Sequence, residues 1–361
     1  MKLSAVIEAI ESFAPLALQE KWDNSGLQIG LPDGNGEVTG VMICLDTTEE
    51  IVAEAASRGC NLIVSHHPLI FKGFKHLTDS TPQERAAAAA IRAGIAVYSS
   101  HTSLDSTIGG VSYAMAERLG ATVGSVISAA EVEYYNVRVI CPREVSSDVR
   151  LVLLDSEPKC SYSDVEGESM AQQGDFDPVA GIALQHQPLT AVNVEVDSLR
   201  LGSVLRSLAG MPDYGRMDVA VTPLRRKADA YGLGVYATLP DSGMTGAEFV
   251  EALRKAFGTA SIKASAAYNP NMKIRRIALC GGSAPDFISR AAAAGVDAYV
   301  TADVRYHDFA NAAEMPMAVF DVGHFESETC AKDIFYHVIT KKIANFAVYK
   351  SEKETNPVKY L

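Results

Sequence analysis

Apolar residues along the first part of the chain form short continuous runs that alternate with stripes of helical spacing. The runs predict buried strands at Val41–Leu45, Asn61–Ser65 and Ile95–Tyr98. The stripes predict helices that begin near Ser4, at Glu49–Arg58, from Pro82 to Gly94 and at Gly110–Leu119. Thr47 and Glu50 have the spacing of a capping box for the second of these helices. Strand followed by helix followed by strand is the pattern of βαβ units.

The end of the chain repeats this alternation. Strands are predicted at Arg276–Cys280, Ala298–Thr301 and Met317–Phe320, and helices at Pro285–Ala294 and Arg305–Glu314, with a long helix last. The fold class is therefore α/β, with several parallel strands.

Residues 130–228 have a different pattern of apolar and polar residues. Alternating segments at Tyr135–Ile140 and Ala191–Val196 predict strands exposed on one face, and a helix-like stretch covers Leu199–Leu208. This order resembles a small ferredoxin-like α+β unit inserted into the α/β domain. We therefore expect a discontinuous main domain, made of residues 1–129 and 229–361, around an insert at 130–228.

Composition restricts the class of protein. Hydrophobic residues make up 48% and charged residues 21% of the chain, as in ordinary globular proteins. Apolar runs stay below the roughly 18 residues of a membrane span, and the first residues resemble an amphipathic helix rather than a signal peptide, so we expect a cytoplasmic protein. A net charge of −12 argues against a nucleic-acid partner. The six cysteines include no C-x-x-C motif, which argues against a zinc ribbon.

Potential metal ligands follow three of the predicted strands. They are His66 and His67 in VSHHPLI, Asp105 in HTSLD, and His324 with Glu328 in GHFESE. Side chains just past adjacent parallel strands meet at one edge of the sheet, where α/β folds place their sites. The four-residue spacing of the last pair puts both on the same side of a helix.

The donor set favours an open site for two metals. Three imidazoles and two carboxylates are too few for two closed structural sites, but enough for two ions that share a carboxylate and leave positions for water. Adjacent histidines on a loop can each bind one ion. Nitrogen and carboxylate donors suit zinc or iron first, and also manganese, cobalt or nickel, whereas the absence of thiolates argues against Cu(I) and iron–sulfur sites.

Three other motifs have two interpretations each. Cys280-Gly-Gly-Ser283 could hold phosphate on backbone N–H groups or form a tight turn whose glycines need positive φ. Trp22-Asp23-Asn24 could contact a substrate or a neighbouring subunit, but a simple turn is the more economical interpretation. Asp46 and His101, each at the end of a strand, could orient ligands or move protons.

These motifs, in their order, resemble the Nif-three-like family, whose members carry the label GTP cyclohydrolase 1 type 2 homologues. The resemblance rests on VSHHPLIFKGFKHL, YSSHTSLD, CGGSAPDFI, DAYVTADVRYHD and DVGHFESE, on KWDNSGLQIG near the start and on SEKETNPVKYL at the end. It covers nearly the whole chain outside residues 130–228. One departure is Thr301-Ala302-Asp303, where the family has Thr-Gly-Asp.

The resemblance implies a Nif-three-like fold and a dinuclear centre with two divalent ions per subunit. The ligands it implies are His66, His67, Asp105, His324 and Glu328, with Glu328 as the bridge. Longer members of the family carry an insert similar to the PII signalling protein. Members form rings, so a homo-oligomer, a hexamer, is expected here.

The function that these observations favour is metal-dependent hydrolysis. A metal-activated water would attack a nucleotide-like or other small substrate, with His101 or Asp303 as proton carrier. The alternative is a non-catalytic metal-binding regulatory or scaffold protein that stores, senses or delivers metal. Turnover by the metal-loaded protein distinguishes the two.

Overall fold

The chain folds into two compact units. The computed structural model describes residues 1–34, 36–156, 160–165, 188–227, 230–259 and 261–360. The first unit comprises Met1–Ala130 and Asp229–Leu361, and the second comprises Glu131–Ala228. The first unit is thus built from two separate stretches of sequence.

The described residues form strands of two to ten residues. They are β1 (Gly26–Ile29), β2 (Val41–Cys44), β3 (Leu62–Ser65), β4 (Ala96–Ser99), β5 (Thr122–Ala129), β6 (Glu133–Pro142), β7 (Cys160–Val165), β8 (Leu189–Asp197), β9 (Asp218–Lys227), β10 (Gly232–Thr238), β11 (Met244–Thr245), β12 (Lys263–Ala264), β13 (Lys273–Ile274), β14 (Arg276–Ser283), β15 (Ala298–Ala302), β16 (Ala318–Asp321) and β17 (Val348–Lys350).

Helices separate most of these strands. They are α1 (Leu3–Glu11), α2 (Glu49–Ser57), α3 (Pro82–Ala93), α4 (Thr102–Asp105), α5 (Val111–Arg118), α6 (Ser146–Ser156), α7 (Ser198–Ala209), α8 (Gly246–Phe257), α9 (Ile288–Ala293), α10 (Tyr306–Ala312), α11 (His324–Glu328) and α12 (Cys330–Lys342). Among the described residues, no helix is both long enough and apolar enough to span a bilayer.

The first unit contains two mixed sheets. One has the order β1-β4-β3-β2-β17, with its last four strands parallel and β1 antiparallel at the edge. The other has the order β12-β16-β15-β14-β10-β5, in which β16, β15 and β14 are parallel and the outer strands antiparallel. The α/β class is confirmed, and the antiparallel strands β1, β5, β10 and β12 are an addition to it.

One hydrophobic cluster joins the two sheets. Val64 of β3, Leu279 of β14 and Val300 of β15 are all buried in it, together with Met115 of α5 and Phe335 of α12. The apolar runs that predicted strands are thus buried on both faces, as expected for parallel strands covered by helices.

The second unit has the element order β6-α6-β7-β8-α7-β9 within the described residues. Its sheet has the order β7-β8-β6-β9, and each neighbouring pair is antiparallel. Val137, Val139, Val192 and Val194 point to a core that they share with apolar residues of the two helices.

The predictions of where the helices begin were partly wrong. Pro82 begins α3 and Gly94 ends it with a φ of 66°, both as predicted, and Thr81 is the N-cap, which accepts a hydrogen bond from the N–H of Glu84. The predicted capping box at Thr47 is wrong, because Thr48 is the N-cap of α2 and accepts from the N–H of Ile51. The HTSLD segment forms the short helix α4 after His101, a helix that the sequence pattern did not predict.

Candidate metal centre

The polar residues singled out in the sequence converge where the parallel strands of both sheets end. His66 and His67 directly follow β3, and His101 follows β4. From the other sheet, Asp303 follows β15, and α11 begins three residues after β16. Carboxyl ends of parallel strands are the usual location of sites in α/β folds.

Glu328 lies at the centre of this group and is 2% exposed. Its Oε2 is 2.8 Å from Nε2 of His67 and 3.2 Å from Nε2 of His324. Its Oε1 is 3.7 Å from Nε2 of His66. One carboxylate therefore faces three imidazole nitrogens: Oε1 faces His66, and Oε2 faces His67 and His324.

Asp105 completes the inner group from the end of α4. Its Oδ1 lies 3.6 Å from Nε2 of His66. Both atoms are buried and have no hydrogen-bond partner among the described residues. Burial, the largest effect, raises the pKa of Asp105 although the nearby imidazole of His66 opposes this. Buried polar atoms without partners cost free energy, and a shared cation would satisfy both.

Each imidazole uses Nδ1 for a contact outside the cluster. The Nδ1 partners are Ser100 O for His66 at 3.0 Å, Asp46 Oδ1 for His67 at 2.8 Å, Asp23 Oδ1 for His101 at 2.9 Å and Asp303 Oδ2 for His324 at 2.8 Å. An oxygen acceptor at Nδ1 places the proton of a neutral imidazole there and leaves Nε2 with a free lone pair. This arrangement leaves Nε2 of these four imidazoles as the nitrogen that could bind a metal ion.

Burial and hydrogen bonding act in opposite directions on these groups. Burial, the largest effect on His67, lowers its pKa, but hydrogen bonds to Asp46 and Glu328 raise it to about 10. In the same way burial lowers the pKa of His324, and hydrogen bonds to Glu328 and Asp303 raise it to about 9. For Glu328, burial alone would raise the pKa, but the imidazoles lower it well below its usual value. The Glu328 carboxylate is therefore ionised at neutral pH and carries the negative charge that a cation requires.

Two overlapping groups could each hold a metal ion. His67, His324 and Glu328 offer ligand atoms within 4.8 Å of one another, and so do His66, His67 and His101. The second group includes His101, which sequence reasoning assigned to proton transfer rather than to ligation. The structure thus brings His101 together with the predicted ligands, and it places Asp303 against His324.

Asp23 is a residue whose role sequence reasoning missed. Its side chain is fully buried and accepts hydrogen bonds from Nδ1 of His101, from both N–H and Oγ1 of Thr102, and from Oγ of Ser25. Burial alone would raise its pKa, but these bonds lower it well below the usual range. A turn was the favoured interpretation of Trp22-Asp23-Asn24, yet the carboxylate positions His101 from 78 residues away.

The glycines of Cys280-Gly-Gly-Ser283 lie inside β14, not in a turn after it. Gly282 has a φ of 62°, as the glycine interpretation of this motif required. A Cβ on Gly282 would overlap with Oε1 of Glu328, and Gly282 N–H donates to Oγ of Ser327 at 3.0 Å. The missing side chain therefore leaves room for the carboxylate.

This fold and site place the chain in a known class of proteins. The model of the Duf34/NIF3 (NGG1p interacting factor 3) family matches residues 1–357. The chain belongs to this family, which confirms the resemblance drawn from its motifs.

Named relatives and solved structures agree with this membership. A Staphylococcus epidermidis protein named GTP cyclohydrolase 1 type 2 homolog is 29% identical, and a Staphylococcus aureus protein of the same name is 28% identical, each over 100% of both chains. A NIF3-related protein from Bacillus cereus has a crystal structure that matches with a TM-score of 0.83 at 27% identity, over 100% of this chain and 99% of that one.

Proposed function

We propose that the chain is a metal-dependent hydrolase with two divalent ions per subunit. His66, His67, Asp105, His324 and Glu328 would be the ligands, with Glu328 bridging the ions. Relatives named GTP cyclohydrolase 1 type 2 homolog favour a nucleotide-like or other small substrate. Donors of this type suit zinc or iron first.

The surroundings of Glu328 are the observation that carries this proposal. Its two oxygens divide between His66 on one side and the pair His67 and His324 on the other, as a bridging carboxylate requires. The unpartnered Nε2 of His66 and Oδ1 of Asp105 fit a cation between them. When bound, divalent metals supply the positive charge that activates a water molecule and polarises the substrate.

The chain's own residues provide proton transfer and orientation. We assign the proton carrier to His101, because Asp23 holds its Nδ1 and leaves Nε2 as the free nitrogen beside His66 and His67. Asp303, the other predicted carrier, contacts Nδ1 of His324 and has a half-exposed side chain, a geometry that supports orientation of His324 as well. Ring orientation by a carboxylate is a common feature of ligating histidines.

Metal content and turnover test this proposal directly. Protein purified without chelators should contain about two transition-metal equivalents per chain by elemental analysis. The metal-loaded protein should hydrolyse at least one compound in a panel of nucleotides, phosphodiesters and strained cyclic amides. Metal content near zero that no reconstitution restores would refute the centre, whereas full metal content with no turnover across the panel would favour the non-catalytic alternative.

For the second unit we propose a ferredoxin-like insert similar to the PII signalling protein. The order β6-α6-β7-β8-α7-β9 and an antiparallel sheet support this assignment, because they match the split βαβ pattern. We also propose that the chain assembles as a homo-oligomer, a hexamer by family resemblance.

Removal of the insert should preserve the metal centre. Replacing residues 130–228 by a short Gly/Ser linker should leave both metals and the oligomer in place, because every proposed ligand lies outside that segment. The linker can be short, since the N–H of Ala130 donates to the carbonyl of Tyr231 at 2.9 Å. Elemental analysis and light scattering provide the measurements. A metal-loaded monomer would assign assembly to the insert, and loss of metal would contradict the proposed boundaries.

A further inference from the structure

Two aromatic side chains lie exposed beside the candidate metal centre. Trp22 is 58% exposed and Phe71 is 43% exposed. Their ring centroids are 6.0 Å apart, with the ring planes at 53°. Two large rings side by side leave apolar surface in water, which is unfavourable unless another molecule covers it. The pair is therefore a candidate for contact with another molecule.

The ring of His101 lies close both to the two exposed rings and to the imidazoles of the candidate metal centre. The centroid of His101 is 6.0 Å from that of Trp22 and 6.3 Å from that of Phe71, and it meets both rings nearly edge-on. The ring of His101 also lies 5.3 Å from that of His66 and 5.6 Å from that of His67. A molecule that covers the pair thus reaches the metal-binding groups.

Hydrogen bonds fix the two segments that carry the rings. Nδ2 of Asn24 donates to the carbonyl of Ile70 at 2.5 Å, and the N–H of Ile70 donates to Oε1 of Gln28 at 3.1 Å. Trp22 and Phe71 are close in sequence to these contacts, so the two backbone segments that carry the rings are held together without a ligand. A binding surface whose backbone is already in place loses less entropy when a ligand binds.

We propose that Trp22 and Phe71 form the subsite for a planar aromatic ring of the substrate. The substrate class is a small molecule with a nucleobase-like ring, whose remaining part extends past His101 to the metal-binding groups. This inference rests on the proposed function and adds to it the chemistry of the recognised group. Continuity with the imidazoles favours substrate over a second copy of the chain as the molecule that covers the pair.

The sequence offers a direct reporter, because Trp22 is its only tryptophan. Titration of the full-length, metal-loaded protein with adenosine should quench the tryptophan emission to a plateau, since the base stacks on the indole. Ribose, which lacks an aromatic ring, should leave the emission unchanged. The same titration on chelator-stripped protein measures ring binding separately from metal binding.

Variants at Phe71 test the stacking itself. Phe71→Leu should weaken adenosine binding by about tenfold, because stacking of a base on an aromatic side chain contributes roughly 1–3 kcal/mol and 1.4 kcal/mol corresponds to about tenfold in affinity. Phe71→Tyr keeps an aromatic face and should bind as wild type. Leu77→Ala is the control, because Leu77 is 49% exposed in the same loop and has no ring.

The outcomes separate this inference from the proposed function. Saturable quenching that Phe71→Leu weakens supports the subsite, even where no turnover is found. If adenosine does not change the tryptophan emission of a protein that binds metal and hydrolyses a substrate, the subsite is refuted. The proposed function then remains intact. The subsite is also refuted if adenosine does not change the emission but the emission shifts to the blue as protein concentration rises, because a second copy of the chain then covers Trp22.

Discussion

Replacing Glu328 by glutamine is expected to remove metal from both positions at once. The carboxylate faces His66 with one oxygen and His67 and His324 with the other, so its charge serves both proposed ions. We expect each affinity to fall by more than about 100-fold, since loss of mere outer-shell partners already costs up to that factor. Elemental analysis of the purified variant measures the loss.

Glu326→Gln provides a matched control for this variant. Glu326 lies on the same helix, is 8% exposed, and accepts a hydrogen bond from Nδ2 of Asn356 rather than facing the imidazoles. It should retain both metals.

His66→Ala or His67→Ala should leave one ion better held than the other. Equal metal content in Glu328→Gln and wild type would move the bridge elsewhere, with Asp105 as the next candidate.

Gly282→Ala is expected to damage the centre without changing any ligand. A methyl group there would overlap with Oε1 of Glu328, and the φ of 62° is unfavourable for alanine. Backbone strain should lower the free energy of unfolding by about 1–2 kcal/mol, and displacement of the buried carboxylate by a further ~1–3 kcal/mol. Metal content should fall as well.

Gly59→Ala separates strain from overlap. Gly59 has a φ of 70°, and a Cβ there would meet no atom within 4 Å. This variant should lose about 1–2 kcal/mol of stability and keep its full metal content. Urea unfolding and elemental analysis of both variants give the comparison. Identical behaviour of the two would mean that Glu328 can move aside at no cost.

The parts of this molecule that sequence alone predicted are those with strong local signals. The apolar run before His66 is short, rich in β-branched residues and followed by a proline, which favours a buried strand. The spacing of His324 and Glu328 places both on one side of α11 whatever surrounds them. Gly94 ends α3 because a left-handed residue there needs glycine. Such features depend only on neighbours in the chain.

Features that depend on distant contacts were missed. The edge strands β1 and β12 are short and partly polar, and they become strands only because β4 and β16 offer them hydrogen-bonding partners. Asp23 reads as a turn residue until His101 and Thr102 are brought against it. Gly281 and Gly282 lie where the pairing of β14 with β15 is interrupted, between Leu279 and Ser283, and the strand continues only because Ser283 pairs with Ala302. Local propensity carries no information about such partners.

The proposed ligands come from two stretches of chain on either side of the second unit, residues 66–105 and residues 324–328. A cation held by both stretches would act as a cross-link between the amino-terminal and carboxy-terminal parts of the first unit. Ligand binding to the folded state alone adds about 2.7 kcal/mol of stability at a free metal concentration 100 times the dissociation constant. Metal scarcity in the cell would then shorten the lifetime of the folded chain, and resistance to proteolysis would follow the metal supply.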